Sequence, residues 1–241
     1  MLLFAWSFFA KSNYRNVDNI HPALLQEPIQ TEPINKDVIK FNKGGFDLEL
    51  TPLYDFEINA LIVSKYDYAS WGFNKEDSIY PVDFLLIWGD NVKTRAYQSN
   101  SLTFSQDSRQ GRWMWFGDLK FNNHQAANDH LIIRDSRLEE EIRNLSIGDQ
   151  IKIKGRLVKI YGRNTSGDQT EDPEINLVSS TVGTDSGPGA CEIIDVTELE
   201  VLERGNPAAH SLFSFSFYSL LLLIIGNVSV FLIRILSPNL S

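Results

Sequence analysis

One cysteine and two of the four histidines are the residues of this chain that could carry nucleophilic chemistry. A cysteine acts as a nucleophile when a nearby base takes its proton. His124 and His130 lie well upstream of Cys191, so only the fold can bring either of them to the sulfur. The stretch around the cysteine reads GPGACE, and its glycines would let a substrate backbone approach. These residues allow a Cys-dependent hydrolase or transferase using Cys191 with His130 or His124; alternatively, Cys191 is a small buried residue that opens a strand.

Tryptophans and acidic residues are the candidates for ligand binding. Trp88 and Trp113 are typical of an aromatic surface for a sugar or peptide, although residues of this type also fill protein cores. Asp185 and Glu192 flank Cys191 and would add polar contacts. We therefore select Trp88, Trp113, Asp185 and Glu192 as binding candidates.

Composition and motif content exclude several classes of protein. His124 and His130 are six residues apart, which is not a metal-ligand spacing, so no metal site is expected. Motifs for phosphate loops, serine hydrolases and zinc proteases are missing, and no cofactor is expected. The net charge of −9 argues against a nucleic-acid partner, and one cysteine excludes an internal disulfide.

Charge and hydropathy divide the chain into four parts. Residues 1–10 are apolar and too short to cross a bilayer, so they suggest a short anchor or a signal-like segment. Residues 11–45 contain three prolines and little periodicity, which predicts a linker. Residues 46–204 hold 27 acidic and 16 basic side chains and predict a water-facing acidic domain. Residues 212–233 carry no charge and predict a transmembrane helix.

The acidic domain is predicted to be mainly β. Apolar and polar residues alternate over 46–50, 56–62 and 151–160, while 83–88, 111–116, 175–181 and 191–202 also favour strands. One short helix is expected over 136–145, which has an apolar face. We expect an antiparallel β-barrel or sandwich. A turn, a long strand broken at Gly155, a polar loop and closing strands suggest an OB-like arrangement in its second half.

Three short islands resemble an uncharacterised family of bacterial membrane-anchored proteins. The first is Tyr66-Asp67-Tyr68 with Pro81-Val82-Asp83 and Trp88-Gly89, the second is Arg112-Trp113 with residues 128–132, and the third is residues 185–192. The second island differs from the family pattern, because Ile133 stands where the family has proline. The resemblance implies a β-rich domain in the cell envelope and implies no activity.

These observations lead to two functional hypotheses. The first is a membrane-anchored, non-enzymatic envelope protein that binds a protein partner or envelope ligand through its tryptophans or through loops 121–135 and 183–192. The alternative is the Cys-dependent enzyme, acting on envelope peptides. In both cases we expect the bacterial inner membrane, with the domain on the non-cytoplasmic side.

Overall fold

The computed structural model describes residues 2–68, 79–167, 172–182 and 191–236. The strands are β1 (Ile29–Thr31), β2 (Ile39–Lys43), β3 (Phe46–Asp67), β4 (Val82–Ile87), β5 (Leu102–Asp107), β6 (Gln110–Trp115), β7 (Ala126–Ile133), β8 (Gln150–Asn164), β9 (Glu174–Val178) and β10 (Glu192–Glu203). The α-helices are α1 (Leu2–Ala10), α2 (Asp90–Lys93), α3 (Ser136–Arg143) and α4 (Pro207–Leu236). The prediction of a mainly β chain with a long C-terminal apolar helix is confirmed.

Five of the strands close into a barrel. Their order is β3-β4-β7-β10-β8, and β8 pairs again with β3. All of these pairs are antiparallel except β7 with β10, which is parallel. The helix α3 lies between β7 and β8 in the chain. This OB-like arrangement therefore involves the whole head and not only its second half.

Alternation of side chains along each strand separates the barrel interior from its outer surface. On β4, Phe84 and Leu86 point into the main core, whereas Leu85 belongs to an outer cluster. On β7, Leu131 faces the main core and Ile132 the outer layer. Apolar residues therefore cover both sides of the barrel wall, which is why β4 has no exposed residue.

The segment 11–45 differs from the predicted linker, because it contributes to the sheet and packs on the barrel. Strands β1 and β2 both pair with β3. Leu24 is completely buried, and Val17 is nearly so. The apolar residues of this segment are too far apart to give a recognisable pattern, but Val17 and Leu24 join a buried cluster with Leu61 and Leu85 of the barrel wall.

The two terminal helices pack against each other. The ring of Phe4 in α1 stacks on that of Phe213 in α4, with 5.1 Å between the centroids. Lys11 follows α1 directly, and its Nζ lies 4.0 Å from the centroid of the Phe213 ring. Pro207–Ile233 of α4 is long and apolar enough to cross a membrane. Only 6% of its most hydrophobic stretch of 18 residues is buried. The helix begins at Pro207, five residues before the predicted span of 212–233.

Gly155 allows the paired strands β8 and β10 to lie close together. A Cβ atom at this position would lie 2.4 Å from the backbone oxygen of Asp195 in β10 and 2.9 Å from Cγ2 of Ile194. A backbone oxygen in a closed barrel has little freedom to move away. Gly155 is therefore required for the contact between β8 and β10.

Replacing Gly155 with alanine should lower the free energy of unfolding by about 2 kcal/mol, because the added methyl group forces the two strands apart. The measurement is denaturant unfolding of the full chain in detergent micelles. Lys159→Ala is the matched control, since Lys159 is exposed on the same strand. Equal stability of Gly155→Ala and the wild-type chain would contradict this account of the contact between β8 and β10.

Candidate active site

Three neighbouring barrel strands bring together an acid, a base and a thiol. Asp83 on β4 lies directly opposite His130 on β7. His130 in turn lies opposite Ile193 on β10, and Cys191 comes two positions before Ile193, directly ahead of the first residue of this strand. Asp83, His130 and Cys191 therefore follow one another across the outer surface of the barrel.

His130 is held between Asp83 and an aromatic ring. Its Nδ1 lies 2.8 Å from Oδ2 of Asp83, an ion pair rather than a well-aligned hydrogen bond. The ring of Tyr80 packs over the imidazole, with 5.2 Å between the centroids. Cys191 is the second polar side chain that interacts with the imidazole.

The surroundings of His130 favour its protonated form. Burial alone would lower its pKa, but pairing with Asp83 and the contact with Cys191 together raise the pKa to about 10. The imidazole therefore carries a positive charge at neutral pH. A positive imidazolium beside a cysteine is the arrangement that stabilises a nucleophilic thiolate.

Asp83 is positioned by a tyrosine from the end of β3. The carboxyl group is completely buried, and the Tyr68 hydroxyl donates a hydrogen bond of 2.7 Å to its Oδ2. The backbone N–H of Arg109 donates to the Tyr68 oxygen at 3.0 Å. Tyr68 and His130 therefore share one oxygen of Asp83, and the tyrosine holds the carboxyl group that orients the base.

The amide of Asn128 lies beside the cysteine sulfur. Its Nδ2 donates to Sγ of Cys191 at 3.5 Å, and its Oδ1 accepts a bond of 2.7 Å from Nε2 of Gln106. Gly111 brings the β5–β6 hairpin against this side chain, because a Cβ there would lie 2.7 Å from Oδ1. The hairpin thus orients the amide with its donor toward the sulfur.

Cys191 and His130 line one pocket of about 480 Å³ on the barrel surface. Its other walls are Tyr80, the tip of the β5–β6 hairpin from Arg109 to Arg112, and Leu177 and Val178 of β9. The sulfur belongs to a partly exposed residue. Cys191 lines this pocket, and it is not fully buried as the alternative assumed.

The inner face of the same strands carries a pair of acids. Glu192 lies directly opposite Asp129, and both residues follow the inward alternation of β10 and β7. Burial, followed by the negative charge of Glu192, raises the pKa of Asp129 well above its ordinary value. The pair therefore retains a proton to higher pH than an exposed carboxyl group does.

Three other candidate residues line a second pocket, which has a volume of about 380 Å³. It is lined by Trp88, His124 and Glu192, together with Glu27. Glu27 accepts a hydrogen bond of 2.9 Å from the Trp88 indole. His124 lies here and not in the cysteine pocket, so the structure places only His130 with Cys191.

Trp113 and Asp185 complete the list of candidates. Trp113 is half-buried and donates a hydrogen bond of 2.8 Å to Oδ1 of Asn123. It is not one of the residues that line the pocket of Trp88. Asp185 lies outside the described residues. Within the described ranges, no group of three His, Cys, Asp or Glu side chains could hold a metal ion.

Two residues of this site, Asp83 and Asn128, were not predicted as site residues from the sequence. Asp83 was one of many acids, and Asn128 had no catalytic pattern around it. The signal for Asp83 was its place in a short strand that is otherwise apolar, because a buried acid needs a partner.

Comparisons with known proteins provide no further identification. No protein-family model, curated protein or solved structure matches this chain. The family resemblance of the three islands therefore stays an expectation, and the function is argued from the geometry.

Asp83→Asn should lower the pKa of His130 far below 10, because the burial penalty remains while the negative partner is lost. Folding raises this pKa above its ordinary value of 6.5, so the ion pair stabilises the fold fully below about pH 6.5, and the contribution is lost as the pH rises to about 10. NMR titration of the imidazole measures the pKa directly. Asp47→Asn, at an exposed position, is the control. An unchanged His130 pKa in Asp83→Asn would show that the pairing does not govern it.

Proposed function

We propose that this protein is a membrane-anchored thiol enzyme, a hydrolase or transferase acting on peptides of the cell envelope. The observation that carries the proposal is the alignment of Asp83 on β4, His130 on β7 and Cys191 at the start of β10, with His130 and Cys191 at the wall of an open pocket. A nucleophile, a base and a group that orients the base are the three parts that covalent acyl transfer requires.

In the first half of the reaction, Sγ of Cys191 attacks the carbonyl carbon of an amide or ester. A carbon–sulfur bond forms, and the carbonyl oxygen takes up negative charge. His130 then gives a proton to the leaving nitrogen or oxygen, and the bond between this atom and the carbonyl carbon breaks. The product of this half is a thioester on Cys191 and a free amine or alcohol.

In the second half, His130 takes a proton from water or from an acceptor amine or hydroxyl. The oxygen or nitrogen of this group attacks the thioester carbon, and the carbon–sulfur bond breaks. Asp83 keeps the imidazole oriented and balances its positive charge in both halves. Water gives hydrolysis, whereas another acceptor gives transfer.

Asn128 is suited to stabilise the negative oxygen of these intermediates. Its Nδ2 is a hydrogen-bond donor next to the sulfur, 3.5 Å away, and Gln106 fixes the orientation of its amide. A positioned amide donor at a developing oxyanion lowers the barrier of acyl transfer substantially.

The location in a bacterial envelope is supported by two observations. The helix α4 is long and apolar enough to cross a membrane, and it follows β10 directly. The three sequence islands resemble membrane-anchored envelope proteins. We propose the inner membrane with the head on the non-cytoplasmic side, where envelope peptides are accessible.

A second candidate function is non-covalent binding at the pocket that contains Trp88. An indole whose N–H is held by Glu27, next to Glu192 and His124, can stack on a sugar or aromatic ligand. This candidate corresponds to a binding protein without catalysis. It predicts that ligand binding survives the loss of Cys191.

Alkylation of the thiol tests the enzyme proposal, because Cys191 is the single cysteine of the chain. At pH 7, iodoacetamide should label His130→Gln at least tenfold more slowly than the wild-type chain, since the positive partner of the sulfur is lost. Asp83→Asn should fall between them. Mass spectrometry of the full chain in detergent micelles gives the rates.

His124→Gln is the matched control, because His124 lies at the other pocket and its loss should leave the labelling rate unchanged. Circular dichroism of each variant verifies that it is folded. Equal rates in the wild-type chain and in folded His130→Gln would refute the proposed pairing.

A further inference from the structure

The strand β9 has an open edge. One side of the strand pairs with β8. On its other side, in the part of the chain that the structure describes, no strand pairs with it. An unpaired edge presents backbone N–H and C=O groups that another extended chain can bind.

Two hydrogen bonds define which backbone groups of β9 point outward. Ser179 donates its N–H to the Val158 oxygen of β8, and Pro173 accepts from the Asn164 N–H. In an antiparallel pair, residues alternate between facing the partner strand and facing away from it. Residues 175 and 177 therefore face β8, and the N–H and C=O groups of Asn176 and Val178 face outward.

The open edge leads to the thiol. Ser180, two residues beyond Val178, donates its N–H to the Cys191 oxygen at 2.9 Å. Two residues of extended chain span about 6.6 Å. Leu177 and Val178 point to opposite faces of β9, yet both line the pocket of Cys191. The pocket therefore wraps around the edge of the strand.

We propose that the substrate of this site is a peptide in extended conformation, which adds to the outer edge of β9 as a further strand. The inference rests on the proposed function and specifies its substrate class. Backbone bonds to Asn176 and Val178 hold the peptide, and the carbonyl about two residues along it reaches Cys191. Strand addition of this kind binds main chains largely independently of sequence, while pockets for side chains add specificity.

The probe for this proposal is acetyl-Ala-Ala-Ala chloromethyl ketone, compared with iodoacetamide. In the probe, Sγ displaces chloride from the methylene carbon, so a carbon–sulfur bond forms as the carbon–chlorine bond breaks. The tripeptide provides the backbone that the β9 edge would bind, whereas iodoacetamide has none. For each probe, the labelling rate of Cys191 is divided by the rate at which the same probe labels free cysteine. The peptide preference is the ratio of the value for the tripeptide probe to the value for iodoacetamide. We expect the tripeptide value to be the higher one in the wild-type chain.

Methylation of single backbone nitrogens of the probe tests the strand geometry. Adjacent N–H groups of an extended peptide point in opposite directions, so one of them faces β9 and the next does not. Methylation of the first or of the second alanine should therefore have unequal effects. One should reduce the rate at least fivefold, the factor expected for one lost hydrogen bond, and the other should change it little.

Val178 provides a matched pair of protein variants. Val178→Pro removes the outward N–H without breaking the bonds to β8, and edge strands tolerate proline. Val178→Ala removes only the side chain. The peptide preference should fall about fivefold in Val178→Pro and less in Val178→Ala.

The outcomes separate this inference from the proposed function. If labelling by iodoacetamide depends on His130 but the tripeptide shows no preference, strand addition is wrong and the thiol site stands. If iodoacetamide labelling does not depend on His130, the proposed function itself fails. Equal effects of the two N-methyl groups would also overturn strand addition. So would a peptide preference that falls as the protein concentration rises, because two copies would then pair through β9.

Discussion

The parallel pairing of β7 with β10 is the constraint on which the whole site depends. It places Ile193 opposite His130 and Glu192 opposite Asp129. Because side chains alternate, this one register puts an imidazole and a thiol on the outside of the barrel wall and a pair of acids on its inside. A shift by one residue would exchange the two sets and bury Cys191 in the core. The closed order of strands, with Gly155 allowing β8 to approach β10, holds this register.

A buried charge is tolerated here because each charged group has a partner. Asp83 is completely buried, and its Oδ2 contacts both His130 and the Tyr68 hydroxyl. Removing one partner of such a pair leaves the other uncompensated, which costs several kcal/mol. A barrel without function would be at least as stable with apolar residues at these positions. The retained charge is therefore an argument for chemistry at the site.

Residue patterns predicted the parts of the fold in which burial repeats regularly. Alternation over 46–62 and 151–160 lies in β3 and β8, and the amphipathic stretch at Ser136 begins α3. The strand β7 was missed because its sequence, AANDHLII, has polar residues on both faces. These polar residues are the site: Asn128 and His130 face the thiol, and Asp129 faces Glu192. The pattern therefore failed where the polar side chains of the candidate site replace apolar packing.

The pairing of Asp83 with His130 could not be predicted from either residue alone. The two residues are 47 positions apart in the chain, and their contact depends on the register of β4 against β7. Sequence alternation identifies the face of a strand but not its register against a distant neighbour. The choice of His130 over His124 has the same origin, because His124 lies just before β7 and so outside the register.

The β5–β6 hairpin links the segment that follows α1 to this site. At its base, Nη2 of Arg15 donates to the Leu102 oxygen at 2.7 Å, and the Tyr14 ring packs 5.4 Å from that of Phe104. Tyr14 lies four residues after the end of α1. At its other end, Gly111 packs against Asn128. Since a six-residue strand spans about 20 Å, the hairpin sets a distance of about that length between the thiol pocket and the segment that follows α1.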